Sequence, residues 1–434
     1  MNTYKFLLKD YKAIKEANIE LNGITVLAGE NGSGKSTITR WFYYLIEVIA
    51  KYDKFAYEDL CDDIFTILRE YNLIFRSIIF EDTGISSLIT KWRNQTKTLD
   101  SSSLDDLMKV VNGAKEIIVR VADFIEQNSN EEKMNSHITR SMKSLGIENI
   151  DRFDKELYIL QTNSKIDKAF QNYRSNIATR HIDNIYRYIR QDYDDKLKHP
   201  NEIQFFEDNI PILEDKTIGF LFGIQRAIYI DTPMSIVNKS LNNGLWWKLL
   251  ELLLKPSNNV ISMLTKKMLL RIQKLIHGTI KLNEDDFDDE MHFIREDELE
   301  ISLSEAATGI KSFACIIRLL ENGYLDKNTL LIIDEPEAHL HPQWIVEYAR
   351  ILVLLSKELG VRILIASHNP DMVAAIQAIG EKEGLKERIT FYQAIPADTM
   401  YQYEYKNLGF EVTEIFKSFN IALSRIQDYG RIDN

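Results

Sequence analysis

The tightest constraint on this sequence is a glycine-rich octet, Gly29-Glu30-Asn31-Gly32-Ser33-Gly34-Lys35-Ser36, set between an apolar run and a helical stretch. Before it, residues 3–28 read as two strands around a turn: Tyr4-Lys5-Phe6-Leu7-Leu8 alternates imperfectly, Asn22-Gly23 signals a turn, and Ile24-Thr25-Val26-Leu27-Ala28 has the β-branched composition of a buried strand. After it, Trp41, Phe42, Leu45, Ile46 and Ile49 recur at helical spacing. The octet fits G-x-x-x-x-G-K-[ST] in the strand–loop–helix setting that pattern requires. Its glycines let successive backbone N–H groups face phosphate oxygens, and the following helix adds its positive end. Lys35 supplies a point charge for the β- and γ-phosphates, and the Ser36 hydroxyl suits a magnesium shell built from few protein oxygens. The expected ligands are therefore ATP and Mg²⁺, with Gly29, Asn31, Gly32, Gly34, Lys35, Ser36 and Thr37 around the nucleotide.

A second run is distant in sequence but fits the same chemistry. Leu330-Leu331-Ile332-Ile333 is a short buried-strand pattern ending in two carboxylates, Asp334 and Glu335, followed by Pro336. Ligands of parallel sheets gather at the carboxyl ends of strands. Asp334 is accordingly the expected magnesium residue together with Ser36. Glu335 is placed to take a proton from the water that attacks the γ-phosphate. Another strand pattern, Ile363-Leu364-Ile365-Ala366, precedes Ser367-His368, and His368 could bond the γ-phosphate or that water.

Between these blocks the texture changes. From about residue 52 to 200 Gly and Pro are scarce, and apolar residues recur at spacings of three and four, the pattern of helices. Asn128 to Lys133 and Asn201-Glu202 read as polar breaks. Sustained heptads are absent, which argues against a long coiled-coil arm. Strand-like composition returns over 217–231, closed by Thr232-Pro233. A helical stretch with Trp246 and Trp247 follows, and then an acidic run from Glu284 to Glu290, read as a solvated loop or hairpin. A helix over roughly 342–359 and strands at Ile389–Gln393 and Met400–Tyr405 complete an alternating pattern. The expected fold class is α/β: a discontinuous domain of residues 1–50 and 217–434, with a mixed or parallel sheet and flanking helices, interrupted by an α-helical insertion over 51–216.

Composition narrows the function classes. The 434 residues carry a formal net charge of −12, which excludes a uniformly basic nucleic-acid coat. Cys61 and Cys315 are the only cysteines and lack the spacing of a disulfide framework or a zinc site. The first residues lack the apolar core of a signal peptide, and no run of about 18 apolar residues could span a bilayer. A cytoplasmic location without membrane contact is expected.

Together, Gly29 to Ser36, the run Asp334-Glu335-Pro336-Glu337-Ala338-His339-Leu340-His341-Pro342 and Ser367-His368 resemble the Walker A, Walker B with D-loop, and switch-histidine motifs of ABC-type ATPases. The Asp-Glu-Pro-Glu-Ala-His-Leu-His-Pro form is typical of a subgroup related to RecF, SMC and overcoming-lysogenisation proteins. Many of its members serve anti-phage defence, including PtuA of Septu systems and AriA of PARIS systems. The resemblance covers both ends of the chain and not the helical middle. It implies a signature loop before the second motif, for which Thr308-Gly309 is the candidate, capping the γ-phosphate held by the opposite subunit. The loop departs from the family's Leu-Ser-Gly-Gly or Ser-Ser-Gly, since Ala307 precedes Thr308. A Q-loop residue is left open between Gln225 and Asp231. His339 and His341 belong to the motif rather than to a metal pair.

The resemblance further implies a homodimer, or a higher homo-oligomer, closed through the ATP sites, and a separate effector protein. No nuclease motif is recognised in the chain, so the effector is expected to be a nuclease on another polypeptide. The alternative is a RecF-like repair or chromosome-maintenance ATPase that binds nucleic acid. A transporter ATPase fits less well, because the long insertion is untypical there. Lys35→Ala is expected to abolish nucleotide binding, measured as loss of the thermal shift produced by ATP.

Overall fold

The computed structural model describes residues 2–78, 83–97, 103–127, 154–231, 244–257, 259–283 and 290–418. They divide into two units, one of residues 1–50 with 181–434 and one of residues 51–180.

The first unit opens with an antiparallel hairpin, β1 (Tyr4–Tyr11) and β2 (Ile14–Leu21), followed by β3 (Ile24–Ala28) and helix α1 (Lys35–Ala50). Two strands were expected before the glycine-rich loop, and there are three. The pattern of β2 conceals it, because Lys15 and Glu16 break the alternation of Ile14, Ala17, Ile19 and Leu21.

The second unit is helical throughout its described residues: α2 (Tyr52–Ile78), α3 (Thr83–Lys97), α4 (Leu104–Gln127) and α5 (Lys155–Thr179). Its core is aliphatic with a few aromatics, among them Ile64, Trp92, Ile117, Val121 and Tyr158. The Trp92 indole N–H donates to the Val110 carbonyl at 3.0 Å, so a large apolar ring is buried without an orphaned donor. Arg180 closes the unit in a left-handed conformation after α5. Its guanidinium pairs with Asp53 at 2.8 Å and lies over the Tyr52 ring at 4.5 Å.

The chain then returns to the first unit through α6 (Ile182–Asp192), the strands β4 (Glu202–Glu207), β5 (Ile210–Glu214), β6 (Thr217–Ile218) and β7 (Arg226–Ile230), and the helices α7 (Leu245–Leu254) and α8 (Met263–Ile276). The boundary read at 216 is thus corrected to 180. Residues 181–216 belong with the sheet, since β4 pairs antiparallel with β1 from Tyr4↔Glu207 to Lys9↔Glu202. Only Ile203 and Phe205 mark the inward face of β4, too short an alternation to stand out beside the preceding helices.

Next comes a small antiparallel sheet of β8 (Gly278–Asn283), β9 (Glu290–Arg295) and β10 (Glu300–Ser302), whose β8 and β9 pair on either side of the acidic run read as a loop or hairpin, while β10 was not anticipated. Of the acidic run, Glu290 starts β9 while residues 284–289 lie outside the described residues, as do the breaks at 128–133 and 232–233. The remainder alternates: α9 (Thr308–Glu321), β11 (Thr329–Asp334), α10 (Pro342–Leu354) with a π-helical turn to Leu359, β12 (Arg362–Ser367), α11 (Pro370–Lys382), and the hairpin β13 (Ile389–Pro396) and β14 (Tyr403–Gly409).

The large sheet has the order β6-β5-β4-β1-β2-β14-β13-β3-β12-β11-β7. Five neighbours, β13, β3, β12, β11 and β7, run parallel, while β1, β2, β4, β5 and β6 pair antiparallel. Three of the parallel strands, β3, β11 and β12, are buried along their whole length, which is why their sequences are apolar runs rather than alternations. The fold class is therefore mixed α/β, a large mixed sheet with flanking helices. Among the described residues no helix is long and apolar enough to cross a membrane.

The antiparallel edge is tied down by one carboxylate. Glu207, 2% exposed, accepts from Asn2 Nδ2 at 2.8 Å, Tyr4 Oη at 2.7 Å, Phe222 N at 2.8 Å and Gly223 N at 2.7 Å. Glu207→Ala leaves these donors unsatisfied and is expected to lower stability by about 2–3 kcal/mol, measured by urea unfolding, with the midpoint falling at unchanged m-value.

Candidate functional site

Strand register decides which residues can meet. Leu27 of β3 pairs with Ala366 of β12, and Ala366 pairs in turn with Asp334 of β11. These three residues share one rung, two strand spacings or about 10 Å across. Each strand ends there, so the glycine-rich loop, Asp334-Glu335 and Ser367-His368 leave the sheet side by side. Ser367 pairs with Ala28, the last residue before the loop.

The loop folds back on its own lysine. Lys35, 5% exposed, donates to the carbonyls of Gly29 and Glu30, both at 2.8 Å. Gly34 has φ +94°, and a Cβ there would come within 2.8 Å of the Ile14 side chain, so both conformation and space require glycine. Thr37 N and Ile38 N then bond to the Gly34 carbonyl as α1 begins. Asn31, Gly32 and Ser36 are exposed, whereas Gly29 is buried. Burial pulls the Lys35 ammonium below its ordinary value, and the charges of Asp334, Glu335 and Glu337 oppose that fall. The two sequence-distant motifs are thus electrostatic neighbours.

Asp334 is 3% exposed, and burial raises its carboxyl above the usual range, opposed by the Ser36 hydroxyl and the Tyr229 phenol. Tyr229 of β7 donates to Asp334 Oδ2 at 2.8 Å and lies 3.4 Å from Thr39 Oγ1. The other oxygen, Oδ1, is buried without a hydrogen bond of good geometry. A buried carboxylate oxygen with no donor, beside a serine hydroxyl at a phosphate-type loop, suits a hard divalent cation. The residues present therefore fit Mg²⁺, which Asp334 and Ser36 could hold.

Glu335 turns the chain away from the sheet with φ +51°, fixed by its N–H donating to the Ala366 carbonyl at 2.9 Å. Its side chain is 37% exposed, free to meet solvent. His368 Nδ1 stands 3.5 Å from Glu335 Oε1 and 3.5 Å from Glu337 Oε1. Glu337 itself is buried, accepting from Ser367 Oγ at 2.8 Å and His368 N at 3.0 Å.

The signature-loop candidate stands at the start of α9 and contacts the same turn. Thr308 Oγ1 donates to the His339 carbonyl at 3.1 Å, and Gly309 faces Leu340 and Trp344. Ala307 precedes α9 without a side-chain cap. His341 caps α10, its imidazole accepting from Gln343 N. Of the two Q-loop candidates, Asp231 follows β7 at the end of the sheet that carries Asp334, and Arg40 lies 3.7 Å from it. Gln225 is at the opposite end, its N–H bonded to Asn328 O.

Sequence reasoning missed Tyr229 and Glu337. Tyr229 lies in an ordinary apolar strand pattern, with nothing to single out its phenol. Glu337 was visible in the motif, but only the fold reveals that it reaches the end of β12.

Comparison with known proteins places the chain. A family model described as an AAA ATPase domain matches residues 1–373. Two curated Clostridium perfringens proteins, the energy-coupling factor transporter ATP-binding proteins EcfA2 (strain SM101) and EcfA3 (strain ATCC 13124), are each 48% identical over 44 residues. That stretch is 10% of this chain, and the match spans 15% of the relatives' own length. Among solved structures, the Smc head domain of Pyrococcus furiosus, bound to the C-terminal domain of ScpA, aligns over 98% of this chain and 100% of its own at 13% identity and TM-score 0.36. The SMC head domain of Thermotoga maritima aligns over 94% and 99% at 11% identity and TM-score 0.35. With residues 1–373 matched by a single family model, the chain belongs to the AAA ATPase domain family.

Proposed function

We propose that this chain is an ABC-type, magnesium-dependent ATP hydrolase that closes with a second copy around its nucleotides. The observation that carries this reading is the shared rung of Leu27, Ala366 and Asp334, which sets the glycine-rich loop, the acidic pair and His368 at one sheet end. In it, Gly29, Asn31, Gly32, Gly34, Lys35, Ser36 and Thr37 hold the triphosphate. On ATP binding, Lys35 exchanges the Gly29 and Glu30 carbonyls for phosphate oxygens, whose negative charge compensates the desolvation of the buried ammonium. Bound Mg²⁺, held by Ser36 and Asp334, would neutralise phosphate charge. Glu335 takes the proton of the attacking water, and His368 orients that water or the γ-phosphate.

Dimer closure rests on Thr308 and Gly309. The uncapped start of α9 offers backbone N–H groups to an anion of the opposite copy, and the Thr308 bond to His339 O links that start to the turn bearing Glu335. The anti-phage role, with closure reporting a trigger to a partner nuclease, is supported by the resemblance of the 334–342 run. Pull-down at native stoichiometry with and without ATP tests it. An ATP-dependent nuclease partner supports defence, whereas salt-sensitive, ATP-stimulated DNA binding without such a partner favours a repair or chromosome-maintenance role.

Glu335→Gln is expected to retain ATP while hydrolysing it at least about 100-fold more slowly, and to accumulate a dimer seen by light scattering. Unchanged turnover removes Glu335 from the role of base. Tyr229→Phe frees the second oxygen of Asp334 and is expected to raise the Mg²⁺ concentration for half-maximal turnover about tenfold, with metal-free nucleotide binding unchanged.

A further inference from the structure

Glu337 joins the two strand ends that carry the proposed hydrolytic groups. It lies two residues beyond Glu335 in the turn after β11, yet its carboxylate reaches the end of β12, where Oε1 accepts both Ser367 Oγ at 2.8 Å and His368 N at 3.0 Å. Ser367 Oγ accepts in turn from Asn369 N at 3.1 Å, and the Asn369 side chain caps α11 through Asp371 N and Met372 N. One buried carboxylate thus fixes the backbone on both sides of the His368 imidazole relative to Glu335. Its side chain is 3% exposed, and Oε2 is buried without a hydrogen bond. Burial raises the Glu337 carboxyl above its ordinary range, opposed by its backbone, Ser367 and His368. The bonds this buried group makes go not to its own turn but to the end of β12, the segment that carries His368.

We infer that Glu337 is a positioning residue for hydrolysis, clamping Ser367 and the His368 backbone so that the imidazole is held at the distance from Glu335 that the attacking water needs. The inference rests on the hydrolase reading for its effect on rate, but the clamp itself can be observed without turnover. Glu337→Gln keeps an oxygen acceptor at Oε1, whereas Glu337→Ala removes it.

The test compares kcat and KM for ATP in Glu337→Ala, Glu337→Gln, His368→Ala and the Glu337→Ala/His368→Ala double variant. In parallel, the histidine ring spectrum of ¹³C-histidine-labelled protein is recorded, with the His368 signal assigned by its loss in His368→Ala. Expected are a loss of kcat on the order of tenfold in Glu337→Ala with KM nearly constant, substantial recovery in Glu337→Gln, and no further loss when His368 is already absent. The His368 signal should move in Glu337→Ala and stay in place in Glu337→Gln. Additive losses in the double variant, or a His368 signal indifferent to Glu337→Ala, overturn the inference. A folded wild type that binds ATP without turning it over overturns the hydrolase reading instead, and the ring signal then decides the clamp alone.

Discussion

Lys35 and Asp334 are both taken out of water at the carboxyl ends of two parallel strands, β3 and β11, with β12 between them, and neither tolerates that burial alone. Desolvation lowers the ammonium and raises the carboxyl, each toward neutrality, and the charge of Asp334 is the largest influence restoring Lys35. The rest of the site follows from holding these charges without merging them into a closed ion pair. Lys35 is instead bonded to two loop carbonyls, and Asp334 to Tyr229. Both remain available to a ligand that brings phosphate to one and a cation to the other.

The turn from Glu335 to His341 distributes that arrangement through the domain. Glu335 points outward from a left-handed backbone, Glu337 reaches the end of β12, the His339 carbonyl receives Thr308 at the start of α9, and His341 caps α10. Three residues of one short segment thus touch three different elements, β12, α9 and α10, while Glu335 stands outward beside them. A displacement at Glu335 would be felt at α9, where Thr308 and Gly309 lie. This is a physical route from the turn to the interface between copies proposed above.

The sequence made the mixed α/β class legible because β3, β11 and β12 are continuous apolar runs, a signal that survives without any neighbour information. Where strands alternate briefly or break phase, it did not. The phase slip at Lys15-Glu16 hid β2, and the six residues of β4 were absorbed into a helical stretch, which displaced the boundary of the insertion from 180 to 216. For the candidate site, motif spacing identified Lys35, Asp334, Glu335 and His368, and register sets them at one sheet end. Tyr229 and Glu337 were illegible as participants because their importance lies in where a side chain reaches across the sheet. The ambiguity between Gln225 and Asp231 had the same origin, since both flank one strand and only its direction in the sheet separates them.

The most direct measurement of the central claim is a crystal structure of the chain with Mg²⁺ and a non-hydrolysable ATP analogue. The account predicts the β- and γ-phosphates against Lys35 and the 29–36 backbone, with the metal held by Ser36 and Asp334 on the same nucleotide. Density for the triphosphate away from Lys35, or a metal bound without Asp334, would contradict it.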